Sequence, residues 1–245
     1  MFKAEIKSDV LKGIVYIVST LVDEVKFSIR PDSVGLKAID PAHVAMIEVN
    51  VSSKAFVSYS ADESEIGLDL DKVKSVLKLA GPSDNIIMEH DPDQGRLTFR
   101  IGNITRSMSL VDTGSMSDPK VPAIDLSAEV QVGIDQLQRG IRAAESISDH
   151  ISLAADPEGF ELSCKGDTDS ATLRIPASDL MGLKSEGRAF SLYPLDYFSN
   201  IVKVIPAGTA IAIQLDNDYP VKLLFNLAEG EASFVYFLAP RIESD

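Results

Sequence analysis

The chain contains an internal repeat, and the period of this repeat restricts the possible folds more than any other feature of the sequence. At a constant offset of 126 residues, Asp9 corresponds to Asp135 and Val25 corresponds to Ile151. Acids therefore match acids, and apolar residues match apolar residues. A period this long exceeds the roughly 20 to 50 residues of a solenoid repeat. The duplication predicts two whole domains of similar fold.

Four helical patterns lie among many short runs with strand alternation. Each pattern repeats apolar residues at spacings of three and four, which makes one buried stripe. The patterns cover residues 9–21, 71–80, 135–148 and 195–205. Asp9, Asp71 and Asp135 begin three of the helices, and we expect them to act as N-caps. The predicted class is α+β, with two helices on one face of antiparallel sheets in each domain.

The two domains are predicted to be joined by a linker. We place the N-terminal domain at residues 1–111, the linker at 112–130 and the C-terminal domain at 131–245. The first part of the linker is rich in Ser, Gly, Asp and Pro, as exposed loops are. Its second part, "VPAIDL", has the alternation of an extended segment, so we expect it to lie on the protein surface.

Catalytic motifs are missing from the sequence. It has no GxxxxGK[ST], GxGxxG, HExxH or GxSxG motif, and its one cysteine excludes a CxxC site. We therefore predict neither an enzyme nor a bound cofactor or metal. The alternative is a hydrolase with a site around His43 and Asp40. With no signal peptide and no long apolar run, we expect a cytoplasmic protein.

The distribution of charge is more informative than its sum of −14. The four helical patterns carry seven basic and five acidic residues, a net of +2, which leaves −16 for the rest of the chain. A lysine-bearing helix face is usually only a solvated face. If all four helices share one surface, however, that surface can bind the phosphates of a nucleic acid without reading its sequence. The basic residues are Lys12, Lys72, Lys74, Lys78, Arg139, Arg142 and Lys203.

Four segments of the chain are distinctive in wording and order: "VDEVKFSI…GLKAIDPAHVAMIEV", "DLDKVKSVLKLAG", "SDHISLAA…GFELSCKGDTD" and "DYPVKLLFNLAEGEASFVYFLAPRIESD". In these segments the chain resembles the proliferating-cell-nuclear-antigen type of DNA sliding clamp in its archaeal form. The resemblance implies a head-to-tail homotrimeric ring around duplex DNA, with four helices from each subunit lining the hole. It also implies a processivity factor that holds DNA polymerase, ligase and flap nuclease. Because the chain has no P-loop, a separate clamp-loader ATPase must open the ring.

The resemblance assigns roles to particular residues. It places Lys12, Lys78, Arg139, Arg142 and Lys203 on the DNA-facing wall, to which helical spacing adds Lys72 and Lys74. Gly13 and Ser19 stand where relatives often have basic residues. The partner-peptide pocket is expected to comprise Ile39, His43, Val44, Met46, Val121, Pro122, Ile124, Leu126, Pro220, Phe237, Ala239, Pro240 and Ile242. The subunit interface is expected to pair residues 105–111 of one chain with 170–176 of the next, through Thr105, Ser107, Ser109, Val111, Ala171, Leu173 and Ile175.

One alternative remains within the same family. The chain could be one subunit of a heterotrimeric clamp, in which case the purified protein would not close a ring alone.

Overall fold

The computed structural model describes residues 1–116 and 118–241. These residues form two compact units, and neither unit is continuous in sequence. The first unit comprises Met1–Pro41, Ile47–Lys120 and Asn226–Phe234. The second comprises Ala42–Met46, Val121–Phe225 and the chain from Val235 onward. Each unit therefore borrows a short segment from the other half of the chain.

The first unit contains two helices and two layers of antiparallel strands. A five-stranded sheet has the order β5-β1-β7-β8-β9, and a second run of strands has the order β6-β2-β3-β4. The first half of β18 (Ala232–Leu238) lies beside β4, where Ser52 N donates a hydrogen bond to Glu231 O at 2.8 Å. The elements are β1 (Phe2–Lys7), α1 (Ser8–Val18), β2 (Glu24–Ile29), β3 (Ser33–Ile39), β4 (Ala45–Ser52), β5 (Ser58–Ala61), β6 (Ser64–Asp69), α2 (Leu70–Leu77), β7 (Asn85–Asp91), β8 (Arg96–Ile101) and β9 (Ile104–Ser109).

The second unit repeats this plan. Its four-stranded sheet has the order β13-β12-β11-β15, and its other run of strands has the order β14-β10-β16-β17-β18. The elements are β10 (Ala128–Gly133), α3 (Ile134–Ala144), β11 (His150–Asp156), β12 (Gly159–Lys165), β13 (Ser170–Pro176), β14 (Gly182–Lys184), β15 (Ala189–Pro194), α4 (Leu195–Val204), β16 (Ala210–Leu215) and β17 (Val221–Leu227).

The internal repeat corresponds to real elements, and the α+β prediction is confirmed. The starts of α1 and α3, at Ser8 and Ile134, are 126 residues apart. The starts of β3 and β12, at Ser33 and Gly159, are separated by the same distance. In both units the apolar stripe of each helix is buried. On α1 this stripe includes Leu11, Ile14, Val15 and Val18.

The predicted helix caps are wrong. Each of the three helices begins directly after a strand, one residue earlier than expected, so the predicted acids fall inside the first turn. Asp69, one position before α2, accepts the capping hydrogen bond from Lys72 N at 3.0 Å. Asp135 instead accepts from Gly208 N at 2.9 Å, and Asp9 accepts from the neighbouring Val10 N at 2.8 Å. The negative charges of Asp9, Asp71 and Asp135 still stabilise the N-terminal ends of their helices.

Candidate functional site

The basic side chains of α1 and α2 differ in whether they already have hydrogen-bond or ion-pair partners. Lys12 is half-buried and its Nζ donates to Ala80 O at 2.7 Å. Lys72 Nζ lies 3.0 Å from Asp69 Oδ2, and Lys74 Nζ lies 2.7 Å from Asp71 Oδ1. The side chain of Lys78 is exposed, and within residues 1–116 and 118–241 it forms no ion pair or hydrogen bond.

The basic residues of α3 and α4 show the same division. Arg139 and Arg142 are exposed, and no side-chain ion pair or hydrogen bond of either is found in the described part of the chain. Lys203 forms an ion pair with Glu145, the residue that follows α3. The hydrogen bond from Lys203 and a second from the Ser199 hydroxyl hold the pKa of Glu145 below its usual range.

Counting charges therefore overstates how basic these helices are. Three of the seven predicted DNA-facing cations are paired with acids, and Lys12 is used on a backbone carbonyl. Lys78, Arg139 and Arg142 are the three that remain available to a phosphate. Gly13 is buried on α1, and a Cβ there would lie 3.1 Å from Leu227 Cδ1. A side chain at position 13 would therefore require Leu227 to move by a few tenths of an ångström.

The predicted partner-peptide pocket falls mostly in the second unit, where the tail and the loop before β4 meet. Ala239 N donates to Val44 O at 2.8 Å, and Arg241 N donates to Leu192 O of β15 at 2.7 Å. The tail is thus fixed by backbone hydrogen bonds up to Arg241. Ser127 N, at the end of the linker, donates to Asp216 Oδ2 at 3.2 Å, which ties the linker to the turn before Pro220.

The predicted pocket residues differ in exposure. Met46 and Phe237 are buried, at 5% and 4% exposure, so they are core residues. His43 and Pro122 are exposed, and His43 adopts a left-handed backbone with φ 59°. Ile242 lies outside the described residues. The remaining eight are half-buried, as expected of a surface that can still accept a ligand: Ile39, Val44, Val121, Ile124, Leu126, Pro220, Ala239 and Pro240.

Two of the eight half-buried residues, Val44 and Ala239, are joined by the backbone hydrogen bond that fixes the tail. Lys222 Nζ lies 5.9 Å from the ring centre of Phe237, a contact that the sequence analysis missed. Alternation along β17 could have placed Lys222 on the surface, but the contact with Phe237 depends on a neighbouring strand.

The strand β9 is an edge strand of the five-stranded sheet, and its register shows which backbone groups are free. Leu110 N donates to Gly95 O at 3.1 Å, and hydrogen-bonded pairs alternate along an antiparallel ladder. Ile104, Arg106 and Met108 therefore bond to β8. The backbone groups of the other residues, the predicted Thr105, Ser107 and Ser109, point away from the sheet. Of these groups, Ser107 O accepts a hydrogen bond from Arg96 Nη2 at 3.5 Å.

The strand β13 is likewise an edge strand, but here the predicted residues are not those with free backbone groups. Gly166 N donates to Asp169 O at 2.9 Å, and Ala177 N donates to Glu158 O at 2.8 Å. Alternation from both ends assigns the hydrogen bonds with β12 to the predicted Ala171, Leu173 and Ile175. The free backbone groups belong instead to Ser170, Thr172 and Arg174.

Val111 and Ile175 are both engaged within the chain itself. Val111 N donates to Gly67 O at 2.9 Å within the first unit, so this donor is unavailable to another chain. The side chain of Ile175 is buried, at 2% exposure. Strand alternation was visible in the sequence, but the phase of the hydrogen bonds depends on which residues form the turn.

Other kinds of site are not found in the described structure. No helix within residues 1–116 and 118–241 is long and apolar enough to cross a membrane. The same residues contain no group of three or more His, Cys, Asp or Glu side chains arranged to hold a metal ion.

Comparison with known families gives two adjoining matches. Residues 1–129 match the model of the proliferating cell nuclear antigen N-terminal domain, and residues 120–241 match the model of the C-terminal domain.

Individual relatives match over the full length. The DNA polymerase sliding clamps of Methanocella arvoryzae and Methanosarcina mazei are each 39% identical to this chain, with 100% of both chains covered. Among solved structures, the C-terminal region of FEN-1 bound to A. fulgidus PCNA contains a chain that is 30% identical, with a TM-score of 0.95 and full coverage of both chains.

Proposed function

Because this chain belongs to the proliferating cell nuclear antigen family and is a DNA polymerase sliding clamp, we propose that three copies form a closed ring around duplex DNA. The ring tethers DNA polymerase and other replication and repair enzymes, which raises their processivity. In this proposal residues 112–130 connect domains at 1–111 and 131–245. The protein acts without catalysis of its own, in the cytoplasm at the nucleoid, and a separate loader ATPase opens it.

The observation that carries the ring proposal is the pair of open sheet edges. Within the described residues β9 pairs only with β8, and β13 pairs only with β12. An open edge with free backbone groups is an aggregation hazard unless another strand covers it. Joining β9 of one copy to β13 of the next covers both edges, and a head-to-tail contact that closes produces a ring.

The solution mass tests this proposal first. Light scattering on the purified protein is expected to give about 80 kDa, three times the 26.5 kDa chain. A mass of one chain at both low and moderate salt would contradict the homotrimer. It would favour the alternative in which this chain is one subunit of a heterotrimeric clamp.

The basic helix faces support DNA binding. In this proposal Lys78, Arg139 and Arg142 contact phosphates directly, while Lys12, Lys72, Lys74 and Lys203 contribute less because they already have partners. Such contacts are independent of base sequence and are screened by salt. The acidic remainder of the chain discourages DNA from binding elsewhere on the protein.

The half-buried apolar residues beside the tail support binding of partner peptides. The solved relative holds the C-terminal region of FEN-1, and we propose that flap nuclease, polymerase and ligase bind this chain through short peptides at the corresponding surface. Apolar anchors in a pocket, together with backbone hydrogen bonds to an extended segment, are a common mode of peptide recognition.

Ile124 is the residue with which to test this surface. Ile124→Asp is expected to weaken binding of an interacting-box peptide at least tenfold, measured by fluorescence anisotropy, without changing the oligomeric mass. Val57→Asp is the matched control, because Val57 is an exposed apolar residue on another part of the chain, at 55% exposure. Unchanged peptide affinity in Ile124→Asp would show that the pocket is elsewhere. Met46 is unsuitable for this test because it is buried.

A hydrolase site around His43 and Asp40 is the competing function from another class. His43 is exposed on a loop, whereas Asp40 is buried at 3% exposure. Hydrolytic turnover that disappears in His43→Ala would revive this alternative.

A further inference from the structure

Glu145 lies among the cations of the α3–α4 pair. Its carboxylate pairs with Lys203, and its Oε1 accepts a hydrogen bond from Ser199 Oγ at 2.5 Å. Arg142, three residues before it, adds a weaker favourable charge. Glu145 is therefore held in its ionised form, and its charge offsets that of Lys203.

The ion pair remains open to solvent. The side chain of Lys203 is 50% exposed and that of Glu145 is 33% exposed. The pair borders a surface depression of about 510 Å³, whose lining also includes Asp149, Asp196 and Arg241. A phosphate group has room to reach Lys203 there. Partly exposed ion pairs are weak and salt-screened, so a phosphate can replace the carboxylate.

We propose that Glu145 competes with DNA phosphates for Lys203, so that this chain limits its own grip on DNA. The inference rests on the proposed DNA-binding role of the α3–α4 pair. A DNA phosphate can contact Lys203 only if the ion pair between Lys203 and Glu145 is broken. The contact between Lys203 and the phosphate is therefore weaker than it would be if Lys203 had no partner, which favours movement along the duplex.

Glu145→Gln tests the proposal, because it removes the charge and keeps the shape of the side chain. We expect this variant to bind a short linear duplex about three- to tenfold more tightly at low salt. The plot of log affinity against log salt is expected to steepen by about one. Glu65→Gln is the matched control, because it makes the same change of charge and removes a Lys–Glu ion pair, with Lys26 at 3.3 Å, on β6. Its affinity is expected to stay within about twofold of the parent.

A double-variant cycle checks the mechanism. Lys203→Ala is expected to weaken DNA binding more in the Glu145→Gln background than in the parent, because Lys203 is free only in the former. Equal affinities of Glu145→Gln and Glu65→Gln would overturn the proposal. Light scattering and thermal unfolding establish that each variant keeps its fold, and Glu145→Ala is the second variant if Glu145→Gln is unstable.

Arg139→Ala separates this proposal from the proposed function. Arg139 has no partner within the described residues, so its loss is expected to weaken DNA binding. If Arg139→Ala weakens binding while Glu145→Gln does not strengthen it, only the competition by Glu145 is refuted. If Arg139→Ala has no effect, the DNA-binding role of these helices is refuted as well.

Discussion

Glu89 on β7 lies between two cations of the first unit. Lys3 Nζ and Arg100 Nη2 are each 2.6 Å from one of its oxygens. The hydrogen bond from Lys3, with the charges of Arg100 and Lys3, holds the pKa of Glu89 below its usual range. Pairs of this kind join strands, so their partners could not be found from sequence spacing. Lys74 and Asp71, in contrast, are three residues apart on a helix, and that spacing is visible in the sequence.

The lowered pKa of Glu89 predicts a particular dependence of stability on pH. A carboxyl whose pKa is lower in the folded state stabilises the fold above its unfolded pKa of about 4.3, and this contribution is lost as pH falls through the folded pKa. Glu89→Gln is expected to be less stable than the parent at pH 7, and its stability is expected to fall less between pH 5 and pH 3. Urea unfolding at fixed protein concentration measures both effects.

Glu186→Gln is the control for this experiment. Glu186 is exposed in a bend and forms no ion pair within the residues that the structure describes. If Glu186→Gln and Glu89→Gln change the acid response equally, the effect reflects net charge and not the contacts of Glu89.

At the scale of elements, the periodicity of apolar residues indicated where helices and strands lie and which faces they bury. Spacings of three and four indicated the helices, and alternation indicated the strands. The ends of the helices were not predictable from it, because a strand runs directly into each helix and moves the capping position. The same limit applies to the edge strand β13. Alternation identifies its faces, but the free backbone groups at Ser170, Thr172 and Arg174 follow from the turn that joins it to β12.

Thr172→Pro tests the proposed use of β13 in ring closure. Thr172 N points away from β12, so proline at this position removes a donor only from the open edge, where proline is tolerated. We expect the solution mass to fall from that of three chains toward that of one, while the circular dichroism of the folded chain is kept. Thr172→Ala is the control, because it keeps the backbone donor, and it is expected to retain the mass of three chains. A Thr172→Pro protein that still has that mass would exclude this pairing.

At the scale of the whole molecule, the repeat predicted two similar domains but not the exchange of segments between the halves of the chain. Asn226–Phe234 belongs to the first unit, and Ala42–Met46 belongs to the second. Local patterns cannot reveal this, because β4 and β18 pair across more than 180 residues, as the hydrogen bond from Ser233 Oγ to Asn50 O at 3.4 Å shows.

The exchange predicts the behaviour of a chain that is cut in the linker. After proteolysis within residues 112–119, the two fragments are expected to stay together in size-exclusion chromatography under native conditions, because each unit contains strands from both fragments. If the two fragments are separated in denaturant and the denaturant is then removed, the N-terminal fragment is expected to aggregate. Two fragments that elute separately without denaturant would contradict this prediction.

The late position of Asn226–Phe234 also has a consequence for synthesis on the ribosome. After Lys120 has been added, 114 more residues must be translated before the first unit has all its strands. At about 5 to 20 residues per second this takes roughly 6 to 23 seconds, during which β4 is paired with β3 but lacks β18 on its other side. A translational pause before residue 226 is therefore expected to lengthen the exposure of a growing chain to misfolding, whereas a pause after residue 234 is not.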